Sequence, residues 1–257
     1  MRSRWHDEPR QQLSAVVDIE RPSPTWNTQT ERWSGDQRTI FALPAALPPA
    51  DLDGKPVTVS LPVGAALWRI HPDAYAADAV NPTAQPAIPG GARFDSLTGD
   101  CAYTYVGDTP EAAVAETLCR NLPVNGQPRL IPRKLIAGRV LSQLTVVQPL
   151  SVIALHGPHL AANGQDIWLT KSDPLDYVLT RTWARALFAA APSANGLLYR
   201  CRHNEDQFAW MLKTNPSNQV HPALEATGES VHLESPTGTV LIDRILASYN
   251  ATLASRI

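Results

Sequence analysis

The side chain best suited to chemistry is Glu116, a carboxylate within a run of small residues in the segment EAAVAETL. A fixed carboxylate can stabilise positive charge that develops during a reaction. The alternative is a solvated helix residue that pairs with Arg120 at the i+4 position. Taken alone, Glu116 fits that alternative better, so its role depends on the residues around it.

Two other groups of residues could do chemistry but lack partners. His156 and His159, in the segment HGPH, are of a type that binds metals, yet no carboxylate or cysteine stands nearby to complete a site. Cys201 and His203 would share one face of a strand, where the thiol could act as a nucleophile. No third group that would orient the histidine is evident. We therefore expect surface or loop histidines and no metal site, and the cysteine nucleophile stays an alternative.

Several familiar motifs are missing from the sequence. It contains no glycine-rich dinucleotide loop, no phosphate-binding loop, no His-Glu-x-x-His and no Gly-x-Ser-x-Gly. Their absence counts against a dehydrogenase, a kinase or a serine esterase. The three cysteines have no Cys-x-x-Cys spacing, so they predict neither a disulfide scaffold nor a zinc site.

The composition is that of a globular protein. The 257 residues are 44% hydrophobic and 18% charged, with a formal net charge of −2. Lysine and arginine are scattered, which argues against direct binding of nucleic acid. We expect no secretory signal and no membrane span, and therefore a cytoplasmic protein.

The elements that must position these residues begin after a proline-rich segment. Residues 1–62 predict an irregular N-terminal extension, because each proline removes a backbone donor and restricts the residue before it. From 63 to 257 the pattern is regular and predicts one domain. Strands are expected in the segments VGAALWRIH, CAYTYVG, KLIAGRVLSQLTVV, LSVIAL, NGLLYRC, QFAWML and TGTVLID.

Two helices are expected among these strands. The first has Asp108 or Thr109 at its cap and Pro110 at its first position. The second begins after Asp173, which we expect to cap it, and presents one apolar face. That face comprises Leu175, Val178, Leu179, Thr182, Ala186 and Leu187. Many strands with few helices indicate an α+β domain built on mixed or antiparallel sheets.

Four segments between about Leu67 and Leu212 resemble the RES-domain family, whose members are toxins of bacterial toxin–antitoxin pairs. In YVGDTPEAAVAE, Tyr105 and Glu116 match the family's tyrosine and glutamate. The segments LWRIH and GGARFD resemble its two arginine motifs, and TRTWARAL followed by NGLLYRCRH resembles its helix and serine-bearing strand. The arginines at those two motifs are Arg69 and Arg93, and Cys201 stands where the family has serine.

This resemblance implies a fold related to ADP-ribosyltransferase toxins and an enzyme that cleaves the nicotinamide–ribose bond of NAD. Phosphorolysis, with inorganic phosphate as co-substrate, and hydrolysis both stay open, and neither needs a cofactor. The implied catalytic residues are Glu116, Arg93 and Tyr105, and the implied substrate-binding residues are Arg69, Tyr105 and Cys201. Arginines suit a diphosphate, and the carboxylate would stabilise an oxocarbenium-like ribose.

Cys201 departs from the family pattern, since a thiol is a poorer hydrogen-bonding group than a hydroxyl. Ser193 is the nearby candidate to replace it, and a buried cysteine without a function is an equally good interpretation. Two alternative functions follow: ADP-ribosyl transfer to a macromolecular acceptor, and a catalytically degenerate interaction protein. The resemblance also implies a cognate antitoxin that carries a DNA-binding domain.

Overall fold

The computed structural model describes residues 47–49, 52, 56–87, 90–122 and 127–255. Most of the expected N-terminal extension lies outside these residues, so the division of the chain at residue 62 stays a prediction. Its last residues, Thr58–Leu61, form a strand of the main sheet. No helix in the described ranges is both long and apolar enough to cross a membrane.

The described strands form one large mixed sheet and one small sheet. The large sheet has eight strands in the order β1-β6-β7-β8-β3-β2-β5-β9, and the small sheet pairs β4 with β10. Within the large sheet β6 and β7 run parallel, and every other neighbouring pair is antiparallel. The strands are β1 (Thr58–Leu61), β2 (Ala66–Pro72), β3 (Ala102–Gly107), β4 (Arg129–Ile131), β5 (Arg139–Val146), β6 (Leu150–Leu155), β7 (Gly196–Cys201), β8 (Asn204–Thr214), β9 (Leu224–His232) and β10 (Ala251–Leu253).

Helices lie between these strands and confirm the α+β class. The helix α1 continues directly into a π-helical turn, Ala115–Cys119, and α4 follows a 3₁₀ turn, Pro174–Asp176. A second 3₁₀ turn spans Arg133–Leu135. The α-helices are α1 (Pro110–Val114), α2 (Pro158–Ala162), α3 (Trp168–Lys171), α4 (Tyr177–Ala190) and α5 (Pro236–Ala247).

Alternation along the central strands divides the core between the two faces of the sheet. In β7, Leu197 and Tyr199 pack with Trp183 and Leu187 of α4, whereas Leu198 packs into a separate cluster with Leu212 of β8 and Leu144 of β5. Successive side chains of a strand point to opposite faces, so both faces of this strand are buried. A third cluster packs α1 and α5 against β2 and β5.

The segment TGTVLID was expected as a strand, but it belongs to the helix α5. Ser235 caps this helix by accepting a hydrogen bond from the backbone N–H of Gly238 at 3.0 Å, and Pro236 occupies its first position. Ile242 and Leu246 are fully buried one helical turn apart. The cap and the helical spacing outweigh the β propensity of the threonines and valine.

The second predicted helix is present as α4, but its start and its buried face differ from the prediction. Asp173 occupies the N-cap position of the 3₁₀ turn Pro174–Asp176 that precedes α4, as predicted, but its side chain makes no capping hydrogen bond. Its carboxylate instead accepts a hydrogen bond from Arg202 at 2.5 Å. Leu175 is 79% exposed, whereas Arg181, which is not part of the predicted stripe, is fully buried. The buried residues of α4 are Tyr177, Thr180, Arg181, Trp183, Ala184 and Leu187.

Candidate functional site

Glu116 is positioned by the direct connection of β3 to α1. Thr109 caps α1 by accepting a hydrogen bond from Ala112 N–H at 3.0 Å, and Pro110 is its first residue, as predicted. A Cβ on Gly107 would lie 2.6 Å from the Cβ of Ala112, so only glycine permits this close approach of strand and helix.

Glu116 lies in the π-helical turn Ala115–Cys119 that follows α1. A π turn is wider than an α turn, so residues four apart no longer lie directly above one another. The described ion pair of Glu116 is with Arg93, whose Nη1 lies 3.7 Å from Oε2. The predicted alternative, an i+4 pair with Arg120, is not among the ion pairs of the described residues.

The carboxylate of Glu116 is held from three directions. Oε1 accepts a hydrogen bond from Arg202 N–H at 2.8 Å, and Oε2 accepts one from the Tyr199 hydroxyl at 3.3 Å. Arg93 supplies the positive charge. The side chain is 11% exposed, so this fixed carboxylate keeps one edge open.

The turn that donates to Glu116 is itself fastened. Lys171 of α3 donates to the carbonyl oxygens of Arg200 and Cys201 at 2.8 and 2.5 Å, and its ammonium also lies 2.6 Å from Glu205. Lys171 therefore holds the backbone next to the Arg202 N–H, and its own position is fixed by the ion pair with Glu205.

Arg93 is a buried cation with unused donors. The residue is 1% exposed, and its guanidinium carbon lies 5.8 Å from the ring centres of Phe94, Tyr177 and Tyr199. Burial alone would lower the pKa of Arg93, but the negative charge of Glu116, with smaller contributions from tyrosines, raises it. Nε and Nη2 have no hydrogen-bond partner among the described residues. Buried donors of this kind call for a bound water or a ligand oxygen.

Tyr105 binds the loop that carries Arg93 through its hydroxyl. The hydroxyl donates to Asp95 Oδ1 at 2.8 Å and accepts from Phe94 N–H at 3.0 Å. Burial, and then the charge of Asp95, raises the pKa of Tyr105 well above its usual value. The phenol therefore stays neutral and holds the loop that carries Arg93.

Arg69 enters from β2. Its Nη1 donates to the carbonyl oxygens of Ala77 and Ala79 at 2.7 and 2.5 Å. Burial lowers the pKa of Arg69 to about 10, with a partial offset from Asp78. Arg69 thus ties down the segment after β2 while it lines the site.

These residues meet in one cleft of about 390 Å³. Its lining brings together four of the five predicted site residues, Arg69, Arg93, Tyr105 and Glu116. Four arginines face two carboxylates, which suits an anionic ligand. The full lining is Arg69, Ile70, Asn81, Gly91, Ala92, Arg93, Asp95, Tyr103, Thr104, Tyr105, Glu116, Thr117, Arg120, Arg139 and Tyr199.

Cys201, the fifth predicted residue, lies in the core and outside this lining. It is fully buried, and its Sγ lies 4.0 Å from the carbonyl oxygen of Ala112. Burial, and then the neighbouring Glu116, raises the pKa of the thiol well above its usual range. A thiol kept protonated is a poor nucleophile. Ser193 is exposed and also lies outside the lining.

Of the two histidines of HGPH, which we expected at the surface or in a loop, His156 precedes α2 and His159 lies within α2, and both are half-buried. The rings of His156 and His159 meet edge to face with their centroids 5.5 Å apart. Within the described ranges, no group of three or more histidine, cysteine, aspartate or glutamate side chains could hold a metal ion.

Sequence reasoning missed several residues that line the cleft. Tyr199 stands in the quoted segment NGLLYRCRH, and Arg120 was considered only as an ion-pair partner, so both left a signal. Arg139 and Asn81 left none. Arg139 reaches the cleft because β5 pairs with β2 in a register that places it opposite Pro72.

Comparisons with known proteins agree with this architecture. The family model described as RES domain matches residues 66–233, a range that contains the whole lining of the cleft. The search of the curated proteins found no match. Among solved structures, the chain is similar to one from the crystal structure of the M. tuberculosis MbcT–MbcA toxin–antitoxin complex. The TM-score is 0.51 at 17% identity, over 74% of this chain and 92% of that chain, a likeness of fold.

Proposed function

The chain belongs to the RES-domain family, and from this membership and the geometry of the cleft we propose that it degrades NAD by cleaving the nicotinamide–ribose bond. One observation carries the proposal. Glu116 is a fixed, partly open carboxylate beside the buried Arg93, in a cleft that Tyr105 and Arg69 also line.

Glu116 is the residue that would act at the bond that breaks. Nicotinamide leaves as a neutral molecule, so its departure needs no general acid, and positive charge builds up on the ribose. A carboxylate that is already oriented stabilises this charge without reorganising during the reaction. The hydrogen bonds from Arg202 N–H and the Tyr199 hydroxyl supply that orientation.

The arginines of the cleft would bind the anionic parts of the substrate. Arg69, Arg120 and Arg139 line the cleft and are less buried than Arg93. Guanidinium groups bind phosphate oxygens through charge-assisted hydrogen bonds. Arg93, next to Glu116, would use its unpaired Nε and Nη2 on an oxygen close to the reacting carbon.

The acceptor of the ADP-ribosyl group distinguishes three reactions that share this first step. Water gives ADP-ribose, inorganic phosphate gives a phosphorylated ADP-ribose, and a macromolecular acceptor gives an ADP-ribosylated product. We propose water or phosphate, the two acceptors that membership of the RES-domain family implies.

The biological role proposed is that of a toxin in a toxin–antitoxin pair. The RES family supports it, as does the fold shared with a chain from a toxin–antitoxin complex. The partner would be an antitoxin, and the family resemblance implies that this antitoxin carries a DNA-binding domain.

The test is to incubate the purified chain with NAD, with and without inorganic phosphate, and to separate the products by chromatography and mass. Nicotinamide release with phosphate-dependent ADP-ribose phosphate identifies phosphorolysis, and free ADP-ribose in both conditions identifies hydrolysis. Label transferred to protein or nucleic acid in a lysate identifies ADP-ribosyl transfer. Intact NAD, after incubation with protein that is folded and free of any antitoxin, overturns the proposal.

A further inference from the structure

We propose that Arg181 and Thr180 of α4 are positioning residues for the cleft: they hold the loop Gly90–Arg93 so that the Arg93 guanidinium lies beside Glu116. The kinetic part of this inference rests on the proposed function, whereas the structural part concerns the loop alone.

The guanidinium of Arg181 is hydrogen-bonded to the backbone of the loop. It is 1% exposed, and within the described ranges no carboxylate oxygen lies within 4 Å of its nitrogens. Its nitrogens donate instead to four carbonyl oxygens, those of Gln85 (2.8 Å), Ala87 (3.2 Å), Gly90 (2.5 Å) and Ala92 (2.9 Å). Buried backbone carbonyls that accept no hydrogen bond within a strand or helix need another donor, and Arg181 supplies it here.

Thr180 adds a second tie at the functional residue itself. Its Oγ1 donates to the carbonyl oxygen of Arg93 at 2.6 Å, within the core. The neighbouring residues Thr180 and Arg181 of α4 therefore bind successive parts of the loop, and the hydrogen bond from Thr180 is to Arg93 itself.

The opposite side of the loop is fastened by Asp95 and Tyr105. Asp95 Oδ2 accepts from Ala92 N–H at 2.6 Å, and the Tyr105 hydroxyl accepts from Phe94 N–H. Gly91 has a φ of +66°, and a Cβ there would lie 2.3 Å from Asp95 Oδ2 and 2.9 Å from Arg181 Nη2. The loop thus has one tightly fitted conformation, and that conformation sets the position of Arg93.

The experiment compares three variants of the full chain. Thr180→Val keeps shape and burial but removes one tie, and Arg181→Lys keeps the charge but cannot reach four carbonyls. Arg185→Met, on the same helix at an exposed position, is the control. For each we would measure circular dichroism, hydrogen exchange of the amides of residues 90–94, and kcat and KM for NAD.

We expect folded variants whose loop amides exchange faster, with kcat lowered by about tenfold or more and KM changed less. The reason is that small misplacements near a reacting centre are costly in rate. Arg185→Met should match the wild type in exchange and in kinetics.

If Arg181→Lys does not fold, the Thr180→Val variant alone tests the inference. Unchanged exchange at residues 90–94, or unchanged kcat, in the folded Thr180→Val variant overturns the inference. If the wild type does not cleave NAD, the proposed function fails, and the exchange measurement alone decides on the loop.

Discussion

Arg93 and Glu116 form an ion pair in the lining of the cleft, with 3.7 Å between Nη1 and Oε2. This distance exceeds the ~2.7–2.9 Å of a charge-assisted hydrogen bond. The two side chains are therefore not joined by a short hydrogen bond. Each of them could also bind a polar group of a substrate. Glu116 takes its hydrogen bonds from Arg202 N–H and Tyr199, and Arg93 keeps two nitrogens unpaired.

The first prediction concerns the charge of Glu116. Glu116→Gln keeps the shape of the side chain and an oxygen for Arg202 N–H but removes the negative charge, so kcat should fall by about 100-fold or more. Glu111→Gln, five residues earlier on α1 and outside the cleft lining, should retain wild-type activity. Nicotinamide release would be measured with thermal unfolding as the control for folding. Equal turnover by the Glu116 variant would refute the assigned mechanism.

The second prediction concerns the unpaired nitrogens of Arg93. Arg93→Met fills a similar volume without donors, and in a Glu116→Gln background it leaves no buried charge unpaired. NAD should bind at least roughly tenfold more weakly than to Glu116→Gln alone, since a hydrogen bond to a charged group contributes about 1.5–3 kcal/mol. Titration calorimetry without turnover measures this difference. Similar affinities would show that Arg93 does not contact the substrate.

Local signals in the sequence were enough to predict part of the candidate site. Thr109 and Pro110 define the start of α1, and the strand before it is short and clear. The register from Tyr105 to Glu116 therefore follows from one continuous β3–α1 unit. The structure brings both residues to the cleft that Arg93 also lines.

Long-range packing determined the rest. No local pattern marks the π turn at Ala115–Cys119, in which Glu116 lies, and the described ion pair of Glu116 is with the distant Arg93. The apolar stripe predicted for α4 also failed, because the helix buries Arg181 to satisfy the carbonyls of a loop some 90 residues earlier in the chain. A buried arginine with backbone partners cannot be recognised from apolar periodicity.

The third prediction concerns alkaline pH. Burial is the first cause that raises the pKa of Tyr103, Tyr105 and Tyr199, so the folded chain keeps these protons to a higher pH than the unfolded chain does. Their contribution to stability is complete below the unfolded pKa of about 10 and is lost as pH rises above it. The free energy of unfolding should therefore fall above about pH 10.

Tyrosinate absorbance tests this directly when it is recorded together with circular dichroism. The three phenols should ionise in a cooperative step that coincides with unfolding, and Tyr105→Phe should reduce that step by one tyrosine's share. Ionisation of all three in the folded chain near pH 10 would contradict the assigned burial.

The last prediction concerns Cys201, which the family resemblance places at the serine position. Because its side chain is fully buried and lies outside the cleft lining, the thiol has no surface to offer a substrate. Cys201→Ala should keep NAD cleavage within about threefold of wild type and lose about 1 kcal/mol of stability from the removed buried atom. Because burial raises the pKa of this thiol, a thiol reagent should modify it only after unfolding.

A loss of activity of about 100-fold in a folded Cys201→Ala protein would mean that the thiol acts on the substrate. Cleavage that persists would mean that this chain uses Glu116 and its neighbours without the family's hydroxyl.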